Sequence, residues 1–307
     1  CLVIADLLPH LAQKQVEQKV SEAFDAEKLN IIIGHEPLQP ETPEGGDAPA
    51  ADAAKKPEKP VKSMVLKLLN ERYGLTEEDL ITAELQIVPA GPARLLGFDA
   101  ALIGGYGHDD RSCVFCAMQA FLAEDDPEHT QIVIFWDKEE IGSEGSAGAK
   151  SRFMEYAVQD LIEAWDPGAR ISEVMDAAKA ISADVHAPID PDFQELHEKQ
   201  NASLMGYGPV FCKFTGSRGK YSANDAHAEY FGWLRALLNT AGVPWQSAEL
   251  GKVDIGGGGT VAMHLAEYGL DIIDFGPSVL SMHSPFEIVS KFDIYATALA
   301  FRAFLKS

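Results

Sequence analysis

The chain has few cysteines, few basic residues and no long apolar run. Its 307 residues include four cysteines, too few for a disulfide framework at this length, so we expect a reducing, cytoplasmic location. Lysine and arginine number 25 against 47 acidic residues, which gives a net charge of −22. A nucleic-acid binder needs a basic face, so that class is excluded. No apolar run reaches the ~20 residues of a membrane-spanning helix, and we expect no membrane partner.

The hydrophobic pattern predicts two regions. Residues 1–92 contain helical stretches interrupted at 39–60 by a segment rich in Pro, Ala, Gly and charge, which we expect to be a mobile loop. After that region, apolar strand-like runs alternate with helical patterns. One of these runs, QIVIFW at 131–136, predicts a buried strand. The alternation predicts an α/β fold in which helices flank a mostly parallel central sheet.

Four segments place an acidic residue or a histidine directly after a strand-like run and beside small residues. They are GGYGHDDRS at 104–112, DKEEIGS at 137–143, SADVHAP at 182–188 and LSMHSPFE at 280–287. The carboxyl ends of strands in an open α/β sheet meet at one crevice, so these segments can converge. Carboxylate and imidazole donors are typical of a catalytic zinc site. In an adjacent Glu pair, one residue can bind metal while the other takes a proton from water.

Two other motifs have simpler interpretations. Cys113 and Cys116 have the spacing of half a zinc site, but their segment has helical apolar spacing and the sequence has no second such pair, so we favour core packing. The GGGG stretch at 256–259 lacks the Gly-Lys-Ser/Thr ending of a phosphate loop. Its glycines, including Gly257 and Gly258, instead predict close approach of the backbone to a substrate.

Basic residues near these glycines are candidates for substrate recognition. Lys252 flanks the glycine stretch and could meet an acidic substrate side chain, with a solvated surface lysine as the alternative. The segment SRGKYSANDA at 217–226 supplies Lys220 and Tyr221. We expect these two residues to contact a substrate carboxylate or peptide end, and surface solvation is again the alternative.

Taken in order, the motifs GYGHDDR, DKEEIGSEGSAGAKS, SADVHA and MHSPFE resemble the aspartyl aminopeptidase / aminopeptidase I family of dinuclear zinc metallopeptidases. The segments NASLMGYGPVFCKFTGSRGKYSANDAHAEY, QSAELGKVDIGGGGTVA and DLLPHLA are similar to that family as well. The resemblance implies a zinc-exopeptidase-like catalytic domain with a smaller inserted dimerisation domain. Residues 1–92 would form part of the inserted domain, and residues 93–307 the C-terminal part of the catalytic domain.

The resemblance also implies roles for individual residues. Asp109 bridges two zinc ions, although the sequence alone does not separate it from Asp110. Glu139 is the general base that deprotonates the attacking water. The remaining metal ligands are Glu140, Asp184 and His283. His10, in LLPHLA, reaches the active site of a neighbouring subunit and steadies the oxyanion of the tetrahedral intermediate.

The implied activity is that of a metalloaminopeptidase. It would release an acidic or neutral aliphatic residue from the N-terminus of peptide substrates, with hydroxide held by two zinc ions as the nucleophile. Manganese or cobalt also suits an oxygen-rich ligand set. The implied assembly is a homo-oligomer in which dimers form a dodecamer. Another amide hydrolase of the same metal type, such as a deacylase, is a weaker alternative.

One departure from the family pattern concerns a further ligand histidine. The family carries it in a His-x-Asp-Ser-Pro motif near the N-terminus, and none of the nine histidines here lies in such a motif. We therefore expect the chain to be the C-terminal portion of a longer family protein, whose upstream segment completes the site. The main alternative function is a truncated, non-catalytic assembly subunit of the same family.

Overall fold

The computed structural model describes residues 1–39, 59–218 and 221–307. The chain divides into two compact units, Cys1–Ala90 and Gly91–Ser307. Lys220 and almost all of the predicted loop at 39–60 lie outside the described residues. The roles predicted for the two regions, dimerisation and catalysis, stay predictions.

Most regular elements of the first unit are helices. Its elements are β1 (Val3–Ile4), α1 (Gln13–Val16), α2 (Val20–Ala23), β2 (Ile31–Ile32), α3 (Pro60–Tyr73) and α4 (Asp79–Thr82). Strands β1 and β2 pair antiparallel. Pro60 lies in the first turn of α3, where a backbone N–H has no partner within the helix, so proline is tolerated there. Gly74 ends that helix in the left-handed conformation that favours glycine.

The second unit alternates strands and helices. Its elements are β3 (Arg94–Leu96), β4 (Leu102–Gly105), α5 (His108–Leu122), α6 (Phe153–Trp165), α7 (Ile171–Ala177), β5 (Lys179–Ser182), β6 (Val210–Cys212), β7 (Gly216–Ser217), α8 (Ala228–Ala241), β8 (Gln246–Ser247), β9 (Gly257–Gly258), α9 (Ala262–Leu265), β10 (Asp271–Gly276), β11 (Val279–Leu280), β12 (Glu287–Ser290) and α10 (Lys291–Leu305). None of the helices in the described ranges is long and apolar enough to cross a membrane.

Two four-stranded sheets organise this unit. The mixed sheet has the order β5-β10-β6-β8, with parallel pairing at β5–β10 and β6–β8 and antiparallel pairing at β10–β6. The antiparallel sheet has the order β11-β12-β4-β3. Strands β7 and β9 form a small separate pair. The predicted α/β class is confirmed, and its pairing is mixed.

Strand β10 separates two hydrophobic cores. Its Ile273 and Phe275 pack with residues of α5, α8 and α10, whereas Ile272 packs with residues of α6, α7 and α9. Successive side chains on a strand point to opposite faces, which explains this division. Helices therefore cover both faces of the mixed sheet, as the α/β prediction requires.

The run QIVIFW at 131–136 does not form a strand, so that prediction was wrong. Ile134 and Trp136 still pack against the core that contains Ile272. A strand needs a hydrogen-bonded neighbour, and within the described part of the chain this run pairs with none. The apolar run therefore predicted core contact for Ile134 and Trp136 only, since Ile132 and Phe135 are exposed and the run is not the buried strand that was expected.

The two closely spaced cysteines behave as core residues. Cys113 and Cys116 lie in α5, are fully buried and carry free thiols. Burial raises the pKa of both thiols, which favours the neutral form over a metal-binding thiolate. The structure therefore agrees with the core-packing interpretation of this motif.

Candidate metal centre

Three of the four predicted segments meet at one point. Asp109 follows β4 in the first turn of α5, Glu140 lies in a short 3-10 turn, and His283 follows β11. The His283 Nε2 atom is 2.9 Å from Asp109 Oδ2 and 3.3 Å from Glu140 Oε2. We call these three residues the first ligand group, because their potential ligand atoms lie within 4.8 Å of one another.

A second set of carboxylates lies beside the first. Asp109, Asp110 and Asp184 also place ligand atoms within 4.8 Å of one another, and we call them the second ligand group. Asp109 belongs to both groups, whereas Asp110 belongs to one. A carboxylate shared between two groups is what a pair of metal ions a few ångströms apart requires.

The donor atoms and their environment fit divalent cations. Carboxylate oxygen and imidazole nitrogen are normal zinc ligands. The Asp110 Oδ1 atom is buried and has no hydrogen-bond partner among the described residues. Burial, followed by the neighbouring Glu140 charge, raises the pKa of Asp109 to about 7. Burial and then the Asp110 charge also raise the pKa of Asp184, and a bound cation would relieve this crowding of acids.

Glu139 lies close to these groups but belongs to neither of them. Burial, and next the Glu140 charge, raises the pKa of Glu139 above its ordinary value. Its own charge contributes to raising the pKa of Asp110 and Asp184. A carboxylate with a raised pKa beside a ligand cluster is suited to proton transfer.

The loop that carries the Glu pair is strained and tightly closed. Lys138 and Ser143 have φ values of 66° and 60°, a region that costs a non-glycine residue about 1–3 kcal/mol. The Ser143 amide donates to the Lys138 carbonyl at 2.7 Å. A Cβ on Gly148 would lie 2.1 Å from the Ser143 carbonyl oxygen, so only glycine permits this closure. The Gly/Ser composition after the Glu pair therefore holds that pair in place.

Sequence reasoning missed two buried carboxylates at the site. Asp274 on β10 accepts a hydrogen bond from Thr260, and burial raises its pKa to about 7. Glu287 on β12 accepts hydrogen bonds from the backbone amides of Asp109 and His283. Asp274 had one sequence signal, a charged residue within an apolar strand, where an isolated charge is costly. Glu287 had a second signal, because it ends the segment LSMHSPFE that was singled out above.

The predicted substrate contacts lie on one part of the second unit. Gly257 and Gly258 form β9 and pair with β7, Tyr221 is exposed, and Lys252 precedes the glycines in a turn. Neither Tyr221 nor Lys252 has a hydrogen bond or ion pair with the two ligand groups within the described ranges. Their roles stay predictions.

The other predicted positions are not joined to the ligand groups here. His10 lies in a 3-10 turn of the first unit, Pro9–Leu11, and is exposed. Its predicted role in a neighbouring subunit's site stays a prediction. Lys220 lies outside the described residues.

Gly276 supports the position of Asp184, which makes a matched pair of glycine substitutions informative. A Cβ on Gly276 would lie 2.0 Å from the Asp184 carbonyl oxygen, whereas a Cβ on Gly232 in α8 meets nothing within 4 Å. We expect Gly276→Ala to lower the free energy of unfolding by about 1–3 kcal/mol through overpacking. Gly232→Ala should raise it by roughly 0.5–1 kcal/mol. Urea unfolding measures both, and equal effects would contradict the close approach.

The crowded acids also predict how pH affects stability. Because the folded-state pKa of Asp109 is about 7 against an ordinary 3.8, the folded chain keeps a proton that the unfolded chain releases above that ordinary value. The contribution of this carboxyl to the free energy of unfolding therefore falls as pH rises through this window. A divalent cation such as zinc, if bound here, would replace the proton, so its stabilising effect should grow over the same window.

The measurement is thermal unfolding with zinc or with a chelator. With zinc at about 100 times its Kd, we expect ~2.7 kcal/mol of added stability near neutral pH and clearly less at about pH 5. The control is Asp109→Asn, which removes one of the titrating groups and should reduce the pH dependence of the zinc-free chain. An equal zinc effect at both pH values would count against the crowding of acids as its cause.

Comparison with protein families gives one match over nearly the whole chain. The model described as aminopeptidase I zinc metalloprotease (M18) matches residues 1–305. A probable M18 family aminopeptidase 1 from Thermotoga maritima is 46% identical over 306 residues, covering 99% of this chain and 64% of that protein. Its counterpart from Clostridium acetobutylicum is 44% identical, covering 99% and 63%.

Solved structures give the same grouping. The M18-family aminopeptidase from Thermotoga maritima matches with a TM-score of 0.88 at 45% identity, over 99% of this chain and 64% of that one. Aminopeptidase I from Clostridium acetobutylicum matches with a TM-score of 0.87 at 43% identity, over 100% and 63%. The chain thus spans less than two thirds of the length of the relatives it matches. The chain belongs to the M18 family of aminopeptidase I zinc metalloproteases.

Proposed function

We propose that the protein is a zinc-dependent aminopeptidase that releases the N-terminal residue of peptides. The observation that carries this proposal is the sharing of Asp109 between two ligand groups, with Glu139 beside both of them. The family and the names of the relatives, which are probable aminopeptidases, support the same class of reaction.

Two zinc ions are the proposed cofactors. Glu140 and His283 would hold one ion, Asp184 would hold the other, and Asp109 would contact both. Zinc supplies a Lewis acid that polarises the scissile carbonyl and makes water a stronger nucleophile. Asp110 is a further oxygen donor on the Asp184 side. Manganese and cobalt also accept this donor set, so the choice of zinc rests on the family.

Glu139 is the proposed general base. Its carboxylate takes a proton from the attacking water and then delivers that proton to the nitrogen of the leaving peptide. The raised pKa of Glu139 suits both steps, because a base with a pKa nearer neutrality is also a competent acid. Its neighbour Glu140 is a proposed metal ligand, so one residue of the adjacent pair transfers the proton and the other binds metal.

The proposed substrates are peptides with an acidic or neutral aliphatic N-terminal residue. Lys252 provides a positive charge beside the glycine stretch, and Gly257 and Gly258 leave their backbone uncovered by side chains. Tyr221 is exposed and free to contact a ligand, and Lys220 is its neighbour in sequence. We propose these residues as the substrate contacts.

We also propose a cytoplasmic homo-oligomer, with dimers forming the dodecamer that the family resemblance implies. The first unit exposes large apolar side chains, which is typical of a surface that another subunit covers. They include Leu7, Leu8, Leu11, Val16, Val20 and Phe24. In such an assembly His10 would steady the oxyanion in a neighbouring site. The free cysteines agree with a reducing compartment.

The alternative of a non-catalytic assembly subunit is not favoured. A chain that only packs has no need to bring five acidic side chains and a histidine together, since uncompensated acids destabilise the fold. All residues of the two ligand groups belong to the second unit.

The general base is tested by Glu139→Gln. The amide keeps the size of the side chain but takes no proton, so we expect kcat to fall by about 100- to 10,000-fold while zinc content is unchanged. The assay follows release of glutamate or leucine from chromogenic amides, with and without chelator. The matched control is Glu128→Gln, an exposed position that should keep wild-type turnover.

The same assay distinguishes a ligand from a base. Asp109→Ala should lose zinc as well as turnover, because it removes the carboxylate shared by both groups. Wild-type kcat in the Glu139 variant would rule out its role as base. Turnover that survives removal of zinc by chelation would contradict the metalloenzyme proposal itself.

A further inference from the structure

Glu287 links the backbones of two proposed metal ligands. It is the first residue of β12 and only 2% exposed. Its Oε1 atom accepts the His283 amide at 2.8 Å, and its Oε2 atom accepts the Asp109 amide at 3.1 Å. Each carboxylate oxygen therefore serves a different residue of the first ligand group.

The topology explains why one side chain reaches both ligands. Strand β12 lies between β4 and β11 and is antiparallel to each of them. Glu287 pairs with Gly105, the last residue of β4, and the chain then continues to Asp109. On the other side, β11 ends at Leu280 and the chain continues to His283. The two ligands thus leave flanking strands at the end where Glu287 begins the central one.

His283 needs such a restraint. Its φ of 64° is in the left-handed region, which is strained for a non-glycine residue and persists only when surrounding contacts hold it. The hydrogen bond from the His283 amide to the Glu287 carboxyl is a contact of this kind, because it holds the strained backbone directly. Most of the His283 side chain is exposed, so its own packing does not supply that restraint.

We propose that Glu287 is a positioning residue, which sets the separation between the Asp109 carboxylate and the His283 imidazole before a cation binds. The two hydrogen bonds support the geometric part of this inference. The expected effect on metal affinity rests on the proposed zinc function. Groups that orient metal ligands in this way typically contribute about 10- to 100-fold in metal affinity.

The test variant is Glu287→Gln. The amide keeps the size of the side chain but has one acceptor oxygen instead of two, so one of the two backbone amides loses its partner. We expect zinc affinity, measured by competition with a chromogenic chelator, to fall by about 10- to 100-fold. We also expect the Asp109 or His283 amide to exchange its hydrogen faster in the zinc-free variant.

Asp293 provides a matched control. It is fully buried, and its two carboxylate oxygens accept the backbone amides of Gly206 and Gly208 at 2.7 and 2.8 Å. Asp293→Asn therefore removes the same kind of acceptor from a pair of amides that carry no proposed ligand. We expect it to lower thermal stability about as much as Glu287→Gln does, with zinc affinity unchanged.

Each outcome decides the proposal. A loss of zinc affinity that is equal in the Glu287 and Asp293 variants would reduce Glu287 to a merely structural residue and overturn it. If the Glu287 variant does not fold, the wild type still tests the geometry, because rapid exchange of both the Asp109 and His283 amides in the zinc-free protein would overturn it. A wild-type protein that binds no zinc would refute the proposed function, while amide exchange would still decide the role of Glu287.

Discussion

The main physical constraint on the second unit is that it must hold together several partly buried acidic side chains that repel one another. Five carboxylates converge at the ends of different elements. They are Asp109, Asp110, Glu139, Glu140 and Asp184. Burial and neighbouring charges raise the pKa of most of them, so their assembly opposes folding unless protons or cations compensate it. A site of this kind favours the binding of divalent cations, because a bound cation would neutralise the repulsion among the acids.

The surrounding structure holds these acids against that repulsion. Gly276 allows the Asp184 backbone to approach β10, and Gly148 allows the Glu pair's loop to close. Glu287 fixes the backbones of Asp109 and His283 from the central strand of the antiparallel sheet. These supports are small residues and backbone hydrogen bonds, which position the ligands without competing for the cation. The strained φ values at Lys138 and His283 are concentrated at this same place, as is common at functional sites.

Much of the site could be predicted from the sequence because strand ends in an α/β fold converge. That rule, applied to four short segments, indicated that acidic residues and a histidine of these segments meet at one crevice, and the family resemblance then separated the ligands from the base Glu139. The structure brings Asp109, Glu140, Asp184 and His283 together in two groups that share Asp109. The sequence placed Glu287 at the end of the segment LSMHSPFE but did not reveal its function, because one of its two partners is the Asp109 amide, 178 residues away in the chain. Asp274 was missed for the same reason, since its partner Thr260 lies on another segment.

The sequence also predicted the helices and the fold class, but not all of the strand pairing. Hydrophobic periodicity indicated the helices and the α/β class, because burial on one face leaves a repeating pattern. The alternation of strands and helices predicted a mostly parallel central sheet, and two of the three strand pairs in that sheet are parallel. It did not reveal the antiparallel pairing of β10 with β6. Periodicity does not record hydrogen-bond partners. It therefore missed both the mixed pairing of β5, β10, β6 and β8 and the lack of a strand partner for 131–136 within the described ranges.

The central claim is that Asp109 is shared by two cations, and anomalous diffraction at the zinc edge tests it most directly. Crystals of the protein soaked with zinc should show two anomalous peaks, one beside Glu140 and His283 and one beside Asp184, with Asp109 in contact with both. A single peak, or two peaks of which only one contacts Asp109, would contradict the shared-carboxylate account.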